Sequence, residues 1–381
     1  MTKCILFQLL SLAAFVMLDV RFLHGQADAF IVMGDLHFDK FEHHDLDYVR
    51  TRPQDYKQIM NEYPQYTAFF VPHFLRVIKE QAEKPAHGVK AVAQLGDLVQ
   101  GVSGNAELAR KMNRDAVDMM HGLHLAVPWV LVKGNHDVSN SPGQPEAWSE
   151  VIRPFMEGQV KKAVDNGMYS YSLSEDTELF VADQFFSKDQ GRPEEALLAF
   201  LEHELSRSKA KFKFLLTHQP VIPVTVRCWH LFSGARRPVT GPHVRQRFLD
   251  LLAKHNVIVL TAHLHEYAIV SRRTDYGNIV QVMINSVNRD MAPPQPQNAT
   301  SEYKGAGWVD ENPHWEPRTA GHRRLLLGEE QKQINSFYRA DLPGYGIIHI
   351  ANEVVTWKFF NGMSLEPFEV VNLTELQNHS K

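Results

Sequence analysis

The chain has 381 residues, of which 44% are hydrophobic, and its formal net charge is -4 at neutral pH. A chain of this length can bury a substantial core, as one large domain or as two of ordinary size. The slight acidic excess excludes the broad basic field that non-specific nucleic-acid binding needs, so nucleic acid is not an expected partner.

The N-terminus resembles a secretory signal peptide. One basic residue precedes an apolar run over residues 4–18, and Ala27-Asp28-Ala29 fits a cleavage site. The run is shorter than the roughly 20 residues that span a bilayer. We predict a signal peptide over residues 1–29 and a mature domain over 30–381, secreted, periplasmic or in the cell envelope, without stable membrane insertion. An uncleaved anchor is the alternative. Signal removal would leave Cys228 as the sole cysteine, so no intrachain disulfide is expected.

Up to residue 265, short apolar segments alternate with longer segments of helical periodicity. The short segments are rich in β-branched residues and end in polar or glycine-containing turns, as buried strands do. The predicted strands cover residues 30–33, 91–95, 129–132, 212–216 and 257–260. The predicted helices cover residues 69–83, 105–125, 146–162, 193–206 and 244–254. This alternation predicts βαβ units and mostly parallel pairing.

Beyond His265 the pattern changes to strands with few helices between them. These strands are predicted at residues 267–272, 279–284, 345–350, 354–360 and 369–372. They suggest antiparallel pairing appended to the first sheet, with C-terminal strands between residues 345 and 373. Residues 288–342 are rich in proline, glycine and asparagine and lack clear periodicity. We predict an irregular insertion there, either a functional lid or a mobile loop.

Residues with metal-binding side chains follow five of the predicted strands. They lie in Gly34-Asp35-Leu36-His37, Gly96-Asp97, Gly134-Asn135-His136-Asp137, Thr217-His218 and Ala262-His263-Leu264-His265. In open α/β sheets, ligands bind just outside the carboxyl ends of strands. A single aspartate or histidine of this kind would more often be structural. Five strand ends that deliver such residues to one edge predict a polar catalytic centre.

The spacing and charge of these residues indicate two metal ions and a phosphate substrate. Residues i and i+2 of an extended chain project to the same side. Each of the pairs Asp35 with His37 and His263 with His265 is therefore expected to bind the metal centre from one side. Imidazole and carboxylate together suit divalent metals, and seven candidate ligands are too many for one ion. Only Asp35 and Asp97 among the seven are anionic. Two divalent ions would therefore leave the centre net positive and attractive to phosphate.

The ordered motifs D-x-H, G-D, G-N-H-D, H and x-H-x-H resemble those of the calcineurin-like metallophosphoesterase superfamily. The resemblance spans residues 35–265 and implies a four-layer α/β/β/α sandwich with mixed sheets. It implies that one metal is held by Asp35, His37 and His265. It implies that the other is held by Asn135, His218 and His263, with Asp97 as the bridging carboxylate. His136 matches the residue that faces the substrate.

Three departures from the patterns of the family and its branches concern function. Ala262 stands where the family usually has glycine, which a roomy turn could accept. Gln100 and Gly101 replace the carboxylate and arginine that follow the bridging aspartate in the protein-phosphatase branch. This weakens a phosphoprotein-phosphatase interpretation. No tyrosine follows Asp97 at the purple-acid-phosphatase position, so an Fe(III)–tyrosine centre is not expected.

Residues outside the motifs are candidates for substrate binding. Arg236 and Arg237, with Arg227 and His230, lie in a segment expected to overhang the centre, and arginine forks match phosphate oxygens. A solvated basic loop is the alternative. Aromatic residues in neighbouring segments could stack on a base or, more commonly, pack a lid. They are Trp229, Phe232, Tyr303, Trp308 and Trp315.

The sequence therefore predicts a hydrolase of phosphate mono- or diesters in which a metal-bound hydroxide attacks phosphorus. The catalytic residues would be Asp97, Asn135 and His136, with Asn135 holding a phosphoryl oxygen and His136 protonating the leaving oxygen. The two divalent ions could be Mn, Zn, Fe, Co or Mg, which the sequence does not distinguish. The alternatives are a nuclease of the same superfamily and a non-catalytic metal-binding envelope protein.

Overall fold

Two mixed β-sheets form the centre of the protein. The computed structural model describes residues 28–139, 141–164, 167–185, 194–233, 242–287, 289 and 291–378. The strands of sheet one are β1 (Asp28–Met33), β2 (Val89–Gln94), β3 (Trp129–Leu131), β12 (Gly344–Ala351), β13 (Val354–Asn361) and β14 (Glu369–Asn372). Those of sheet two are β4 (Tyr169–Ser172), β5 (Thr177–Ala182), β6 (Phe212–Thr217), β7 (Val257–Thr261), β8 (Tyr267–Thr274), β9 (Gly277–Met283), β10 (Gln297–Thr300) and β11 (Ile334–Asp341). Sheet one has the order β14-β13-β12-β1-β2-β3 and sheet two has the order β10-β11-β8-β9-β7-β6-β5-β4.

Helices cover the outer faces and connect the strands. The α-helices are α1 (Leu46–Arg50), α2 (Pro53–Asn61), α3 (Tyr63–Glu83), α4 (Ala106–Gly122), α5 (Gln144–Ala147), α6 (Arg153–Val160), α7 (Glu194–Arg207), α8 (Pro242–Lys254), α9 (Gly307–Glu311), α10 (Ala320–Gln331) and α11 (Leu373–Asn378). A π-helical turn, Trp148–Ile152, joins α5 to α6. In the part of the chain that the structure describes, none of these helices has the length and apolar character needed to cross a membrane.

Alternating side chains along the strands of sheet two separate two hydrophobic cores. Phe214 of β6 contacts Phe30 of β1, so the inner faces of the two sheets pack on each other. Leu215 points the other way, into a core shared with α7 and α8. Helices α3 and α4 cover the outer face of sheet one. This layering confirms the predicted α/β/β/α sandwich, in which both sheets are mixed.

The sequence analysis predicted that the strands after residue 265 are appended to the first sheet. The structure divides them between the two sheets. Strands β12, β13 and β14 join sheet one, where β12 pairs antiparallel with β1. Strands β8 and β9 instead join sheet two, where β9 pairs parallel with β7. The hydrophobic pattern identifies a strand but does not determine its partner, because pairing depends on contacts distant in sequence.

The prediction of an irregular insertion at residues 288–342 is wrong. Its described residues form β10, α9, α10 and β11. Strand β11 pairs with β8 over six positions, which makes the segment part of sheet two. Helix α10 buries Leu327 against the core beneath that sheet. The few apolar residues of the segment are spread over short elements, so no single window shows a clear period.

The domain boundary also differs from the prediction. Residues 1–27 of the predicted signal lie outside the described residues, but Asp28 and Ala29 begin β1. The Asp28 carboxylate is buried and pairs with Lys90 at 2.5 Å. It also accepts hydrogen bonds from the hydroxyls of Ser174 and Thr177, at the edge of sheet two. Asp28 is therefore a polar link between the two sheets.

Replacement of Asp28 by alanine should destabilise the domain by roughly 1–3 kcal/mol, because it leaves the buried Thr177 hydroxyl without its acceptor. Burial opposes ionisation of Asp28, but Lys90 and the two hydroxyls outweigh it and lower the pKa of the carboxyl. The stabilisation is therefore present above the unfolded pKa, about 4, and is lost as the pH falls through the lower folded value.

Thermal unfolding of the wild type and Asp28→Ala between pH 7 and pH 2 checks this prediction. The difference in Tm should be largest near neutral pH and should shrink on acidification. Asp275→Ala, which removes an exposed turn carboxylate, is the control and should leave Tm unchanged. An equal loss at pH 7 and pH 2 would contradict the assigned role of the charge.

Candidate metal centre

The loops after five strands meet between the carboxyl edges of the two sheets. Strands β1, β2 and β3 deliver their loops from sheet one, and β6 and β7 deliver theirs from sheet two. Backbone hydrogen bonds join the first two loops, from Asp35 N to Gly96 O at 3.0 Å and from His37 N to Asp97 O at 2.9 Å. The amide of His263 donates to both carboxylate oxygens of Asp35, at 3.1 and 2.9 Å. The loops thus hold one another in position.

Five candidate ligands have left-handed backbone conformations. The φ angles are 53° for Asp35, 45° for His37, 52° for Asp97, 80° for His263 and 56° for His265. Non-glycine residues seldom adopt this region, and such strain concentrates at functional sites. The expectation that Asp35 with His37, and His263 with His265, lie in extended chain is therefore wrong. The ligands converge because the chain turns sharply at each strand end.

Close packing of these turns explains two glycines of the motifs. A Cβ at Gly96, whose φ is 94°, would lie 2.5 Å from Nδ1 of His218. A Cβ at Gly134 would overlap the backbone and carboxylate of Asp97. Glycine lets the backbone approach the ligands at both positions.

Asp35, His37 and His265 form one group of candidate ligands. Their ligand atoms lie within 4.8 Å of one another. Nε2 of His37 is 3.0 Å from Nε2 of His265, which is 4.0 Å from Oδ1 of Asp35. Asp35 and His37 are fully buried, and His265 faces the opening with a partly exposed side chain.

Asp97, His218 and His263 form the second group, which Asn135 joins. Nε2 of His218 is the centre of this group. It lies 3.1 Å from Oδ2 of Asp97, 3.1 Å from Nδ1 of His263 and 3.2 Å from Oδ1 of Asn135. Oδ2 of Asp97 is also 3.7 Å from Nε2 of His37. The Asp97 carboxylate therefore lies between the two groups, and all seven predicted ligands meet at one place.

The hydrogen bonds behind two imidazoles direct their lone pairs into the centre. Nδ1 of His37 donates to Oε1 of Gln100 at 2.7 Å, and Nδ1 of His218 donates to the carbonyl of Leu95 at 2.8 Å. When both imidazoles are neutral, Nε2 of each ring carries a lone pair and faces nitrogen or oxygen atoms of the other candidate ligands. Acceptors that converge at about 3 Å in a buried site repel each other unless a cation lies between them. The residues present therefore fit divalent metal ions.

Burial also favours the neutral imidazoles that metals require. It lowers the pKa of His37 and of His263 well below the usual range. It lowers the pKa of His265 to about 4, and the positive charge of Arg227 acts in the same direction. His218 is the exception, because the Asp97 carboxylate outweighs the effect of burial and raises its pKa to about 9. In the metal-free chain a proton on His218 thus supplies the compensating positive charge.

His136 lies at the opening of the centre with its ring orientation fixed. Its amide donates to Oδ1 of Asp97 at 2.7 Å, and its Nδ1 donates to the backbone carbonyl of Gln100 at 2.8 Å. The ring centroid is 4.7 Å from that of His37. Since the bonded nitrogen is Nδ1, proton exchange with a substrate falls to Nε2. This position is compatible with the predicted role of facing the substrate.

Three supporting residues were missed by sequence reasoning. The Asp137 carboxylate accepts from the amides of Asp97, Val99 and Gly134 at 2.8–3.1 Å, which fixes two ligand loops. Gln100 orients His37 with its side chain and His136 with its carbonyl. Tyr63 stacks on His37 with ring centroids 4.5 Å apart. Asp137 stood within the G-N-H-D motif, which was a usable signal, whereas nothing in the sequence pointed to Tyr63.

The structure treats the predicted substrate-binding residues differently. Arg236 and Arg237 lie outside the described residues. Arg227 lies beside the centre, between Trp229 and Trp315. His230 is instead buried, at 3% exposure. Phe232, Tyr303 and Trp308 are buried in the core beneath sheet two, so they pack the structure.

The sequence analysis suggested that a roomy turn could accept Ala262, but the turn is tightly packed. The methyl group of Ala262 is fully buried, and a Cβ built on Gly34 would lie 2.7 Å from it. The two residues belong to the loops after β1 and β7, so they meet where the sheets meet. The alanine fits because the residue opposite it is glycine.

Comparison with known proteins identifies the family of the part of the chain that carries these residues. A family model described as calcineurin-like phosphoesterase matches residues 28–267, which begin with β1 and end just after the last ligand. No curated protein matches the chain significantly by sequence.

Solved structures resemble the chain at low identity. A dimetal phosphatase from Danio rerio matches with TM-score 0.51 and 16% identity, covering 90% of this chain and 98% of that one. A structure of PhoD matches with TM-score 0.51 and 12% identity, covering 91% and 68%. A purple acid phosphatase from yellow lupin seeds (Lupinus luteus) matches with TM-score 0.51 and 11% identity, covering 91% and 53%. The chain thus spans about half of the lupin protein, and these likenesses establish the fold alone.

Gly34→Ala should disrupt the centre, because the new methyl group would collide with that of Ala262. Overpacking of this kind costs roughly 1–3 kcal/mol, and here it would displace the Asp35 loop. The double change Gly34→Ala with Ala262→Gly should recover most of the loss. Chemical denaturation and bound-metal content check both changes, with Gly122→Ala, at an open position, as the control. Equal losses in the single and double variants would show that the two residues do not compete for space.

Proposed function

The chain belongs to the calcineurin-like phosphoesterase family and is therefore a metal-dependent hydrolase of phosphoester bonds, and from this premise we propose that it cleaves phosphate mono- or diesters at a centre of two divalent ions. The observation that carries the proposal is the position of Asp97. Its Oδ2 atom lies between His37 of one ligand group and His218 of the other. A carboxylate shared in this way suits two ions about 3.5–4 Å apart.

Two divalent ions, when bound, supply Lewis acidity for the phosphoryl oxygens and a nucleophile derived from water. The residues of the chain set the geometry for this chemistry. Asp35 and Asp97 carry two negative charges against the four positive charges of the ions, so the centre stays attractive to a phosphate. Asn135, beside His218, is proposed to hold one ion and a phosphoryl oxygen.

His136 is proposed to donate a proton to the leaving oxygen. The Gln100 carbonyl fixes the proton on Nδ1, so the transferable proton of the imidazolium is on Nε2. The ring is half-buried and borders both ligand groups through His37 and Asp97. A general acid needs this combination of fixed orientation and access to the substrate.

The two alternatives from the sequence have less support. A non-catalytic metal-binding protein with a vestigial centre would be expected to lack a ligand, whereas each of the seven positions carries a ligand-type side chain. A nuclease would be favoured by a basic groove, and the net charge of -4 gives no such indication. Export, predicted from residues 1–29, remains a proposal about where the enzyme acts.

Asp97→Asn should lower the bound metal below two ions per chain and abolish hydrolysis, because the shared carboxylate sets both ions. Metal analysis after reconstitution with Mn, Zn, Fe, Co or Mg, together with turnover of mono- and diester substrates, checks this. Asp115→Asn is the control, since Asp115 also contacts a histidine, His43, but lies outside the centre. Retention of two ions and full turnover in Asp97→Asn would sink the dinuclear proposal.

His136→Ala should keep both ions and cut turnover of alkyl esters by roughly 10²–10⁴-fold, the usual contribution of a general acid. The loss should be much smaller for nitrophenyl esters, whose leaving group needs little protonation. Steady-state kinetics on matched alkyl and nitrophenyl esters measures both, with His203→Ala, on the exposed face of α7, as the control. Equal losses for the two ester types would mean that His136 has another role.

A further inference from the structure

Arg227 is held between two indole rings beside the candidate centre. Its guanidinium carbon lies 5.2 Å from the ring centroid of Trp229 and 5.3 Å from that of Trp315. The two indoles are 5.7 Å apart and tilted by 54°. Trp229 in turn lies 5.6 Å from the ring of the candidate ligand His263. The Trp229 ring therefore lies between Arg227 and the candidate metal ligand His263.

This arrangement leaves the edge of the guanidinium for binding. Stacking on indole occupies the faces of the planar group, whereas its N–H donors lie in the plane. Within the described ranges, the Arg227 side chain makes no hydrogen bond and no ion pair. The side chain is half-buried, so this donor set is partly removed from water.

Buried polar contacts fix the two segments that carry Trp229 and Trp315, the two indoles that form an aromatic clamp around Arg227. Arg323 of α10 is fully buried, and it donates to the carbonyl of Val226 at 2.9 Å and to that of Glu316 at 3.2 Å. It also donates to the carbonyl of Trp315. One side chain thus joins the residue before Arg227 to the segment that carries the second indole. The clamp is preorganised, so binding an anion there would cost little ordering entropy.

In the described part of the chain Arg227 forms no close ion pair, and the Glu266 carboxylate, which attracts it electrostatically, is paired with Arg339 at 3.1 Å. Arg227 stands beside a centre whose bound ions would exceed the charge of Asp35 and Asp97, so it adds positive potential where positive potential already exists. A protein that only needed to pack this space would be expected to use an apolar side chain. A fixed, unpaired guanidinium near a cationic centre is instead suited to bind an anion.

We propose that Arg227 binds a second anionic group of the substrate, a phosphate or a carboxylate, separate from the phosphoryl group at the metal centre. This inference rests on the proposed phosphoesterase function and narrows its substrates to esters that carry another oxyanion. The two indole walls hold Arg227 in place, and Arg323 acts as a positioning residue for the clamp. The fork of Arg227 fits both kinds of oxyanion, and the assay distinguishes them.

The test compares alkyl phosphates of one chain length whose far end is a methyl group, a carboxylate or a phosphate. The wild type should prefer the charged ends. Arg227→Met should lower kcat/KM for the preferred ester by roughly 10–100-fold, mainly through KM, as expected for loss of a charged hydrogen-bonding partner. Arg227→Lys should fall between the two, since it keeps the charge without the fork. Arg318→Met, an exposed arginine of the same segment as Trp315, is the matched control and should keep the wild-type preference.

The same preference in wild type and Arg227→Met would overturn the proposal, and so would the absence of any preference in wild type. The identity of the preferred end decides between phosphate and carboxylate as the anion. Circular dichroism of each variant in the near ultraviolet shows whether the aromatic environment is intact. A loss that Arg227→Lys fully rescues would support a charge effect without bidentate binding.

A binding measurement separates failure of this inference from failure of the proposed function. The full-length chain, stripped of metal and desalted, is titrated with inorganic pyrophosphate while tryptophan fluorescence is recorded. A saturable change is expected in wild type and Arg318→Met, because the anion binds next to two indoles, and it should be lost in Arg227→Met. A chain that hydrolyses no ester but gives this response would retain the anion site and lose the proposed activity. No saturable change in wild type would overturn the anion site whatever the activity.

Discussion

The burial of two carboxylates among lone pairs is the constraint on which the rest of the structure depends. Asp35 and Asp97 are almost completely inaccessible, and imidazole nitrogens of His37, His218 and His265 lie 3.1–4.0 Å from their oxygens. Such charges are costly to desolvate unless cations or donors compensate them. Backbone amides of His263 and His136 provide part of this compensation, and the proposed metal ions would provide the remainder. The carboxyl edges of the two packed sheets must therefore lie side by side, with loops short enough to aim their amides at these carboxylates.

The location of the centre could be predicted from the sequence because it depends on local signals. Each apolar strand ends in a turn that carries ligand-type residues, and the ends of parallel strands share an edge. The local geometry could not be predicted. Asp35 and His265 adopt left-handed conformations that nothing in their residue types requires, because the interlocked loops impose them. The fit of Ala262 against Gly34 likewise depends on a contact between residues more than 200 positions apart in sequence.

Features that depend on more distant pairing were mostly missed. Strand β11 was not recognised, because its half-buried residues gain their partners only from the neighbouring strands β8 and β10. Gln100 was judged by its departure from another branch, yet its side chain and its carbonyl orient two histidines. The carbonyl performs its role whatever the side chain is, so a substitution pattern cannot reveal it. Nothing in the sequence indicated what Trp315 contacts. In the structure, the hydrogen bond from Arg323 to its carbonyl holds Trp315 beside Arg227.

Buried ionic groups fix the segment around Arg227, which adjoins the centre. Their main effect is to determine the conformation of its backbone, and their contribution to net stability is smaller. Burial opposes ionisation of Glu330, but Arg245 and Arg272 outweigh it and lower its pKa to about 2. Arg245 also donates to the carbonyls of Val221 and Leu231, on either side of the Arg227 segment. A network of this kind contributes little beyond a well-packed apolar core, but it permits only one arrangement of the backbone it binds. Under the proposal for Arg227, substrate selection falls to a loop that the core holds rigid, and the metal centre itself needs to recognise only the phosphate.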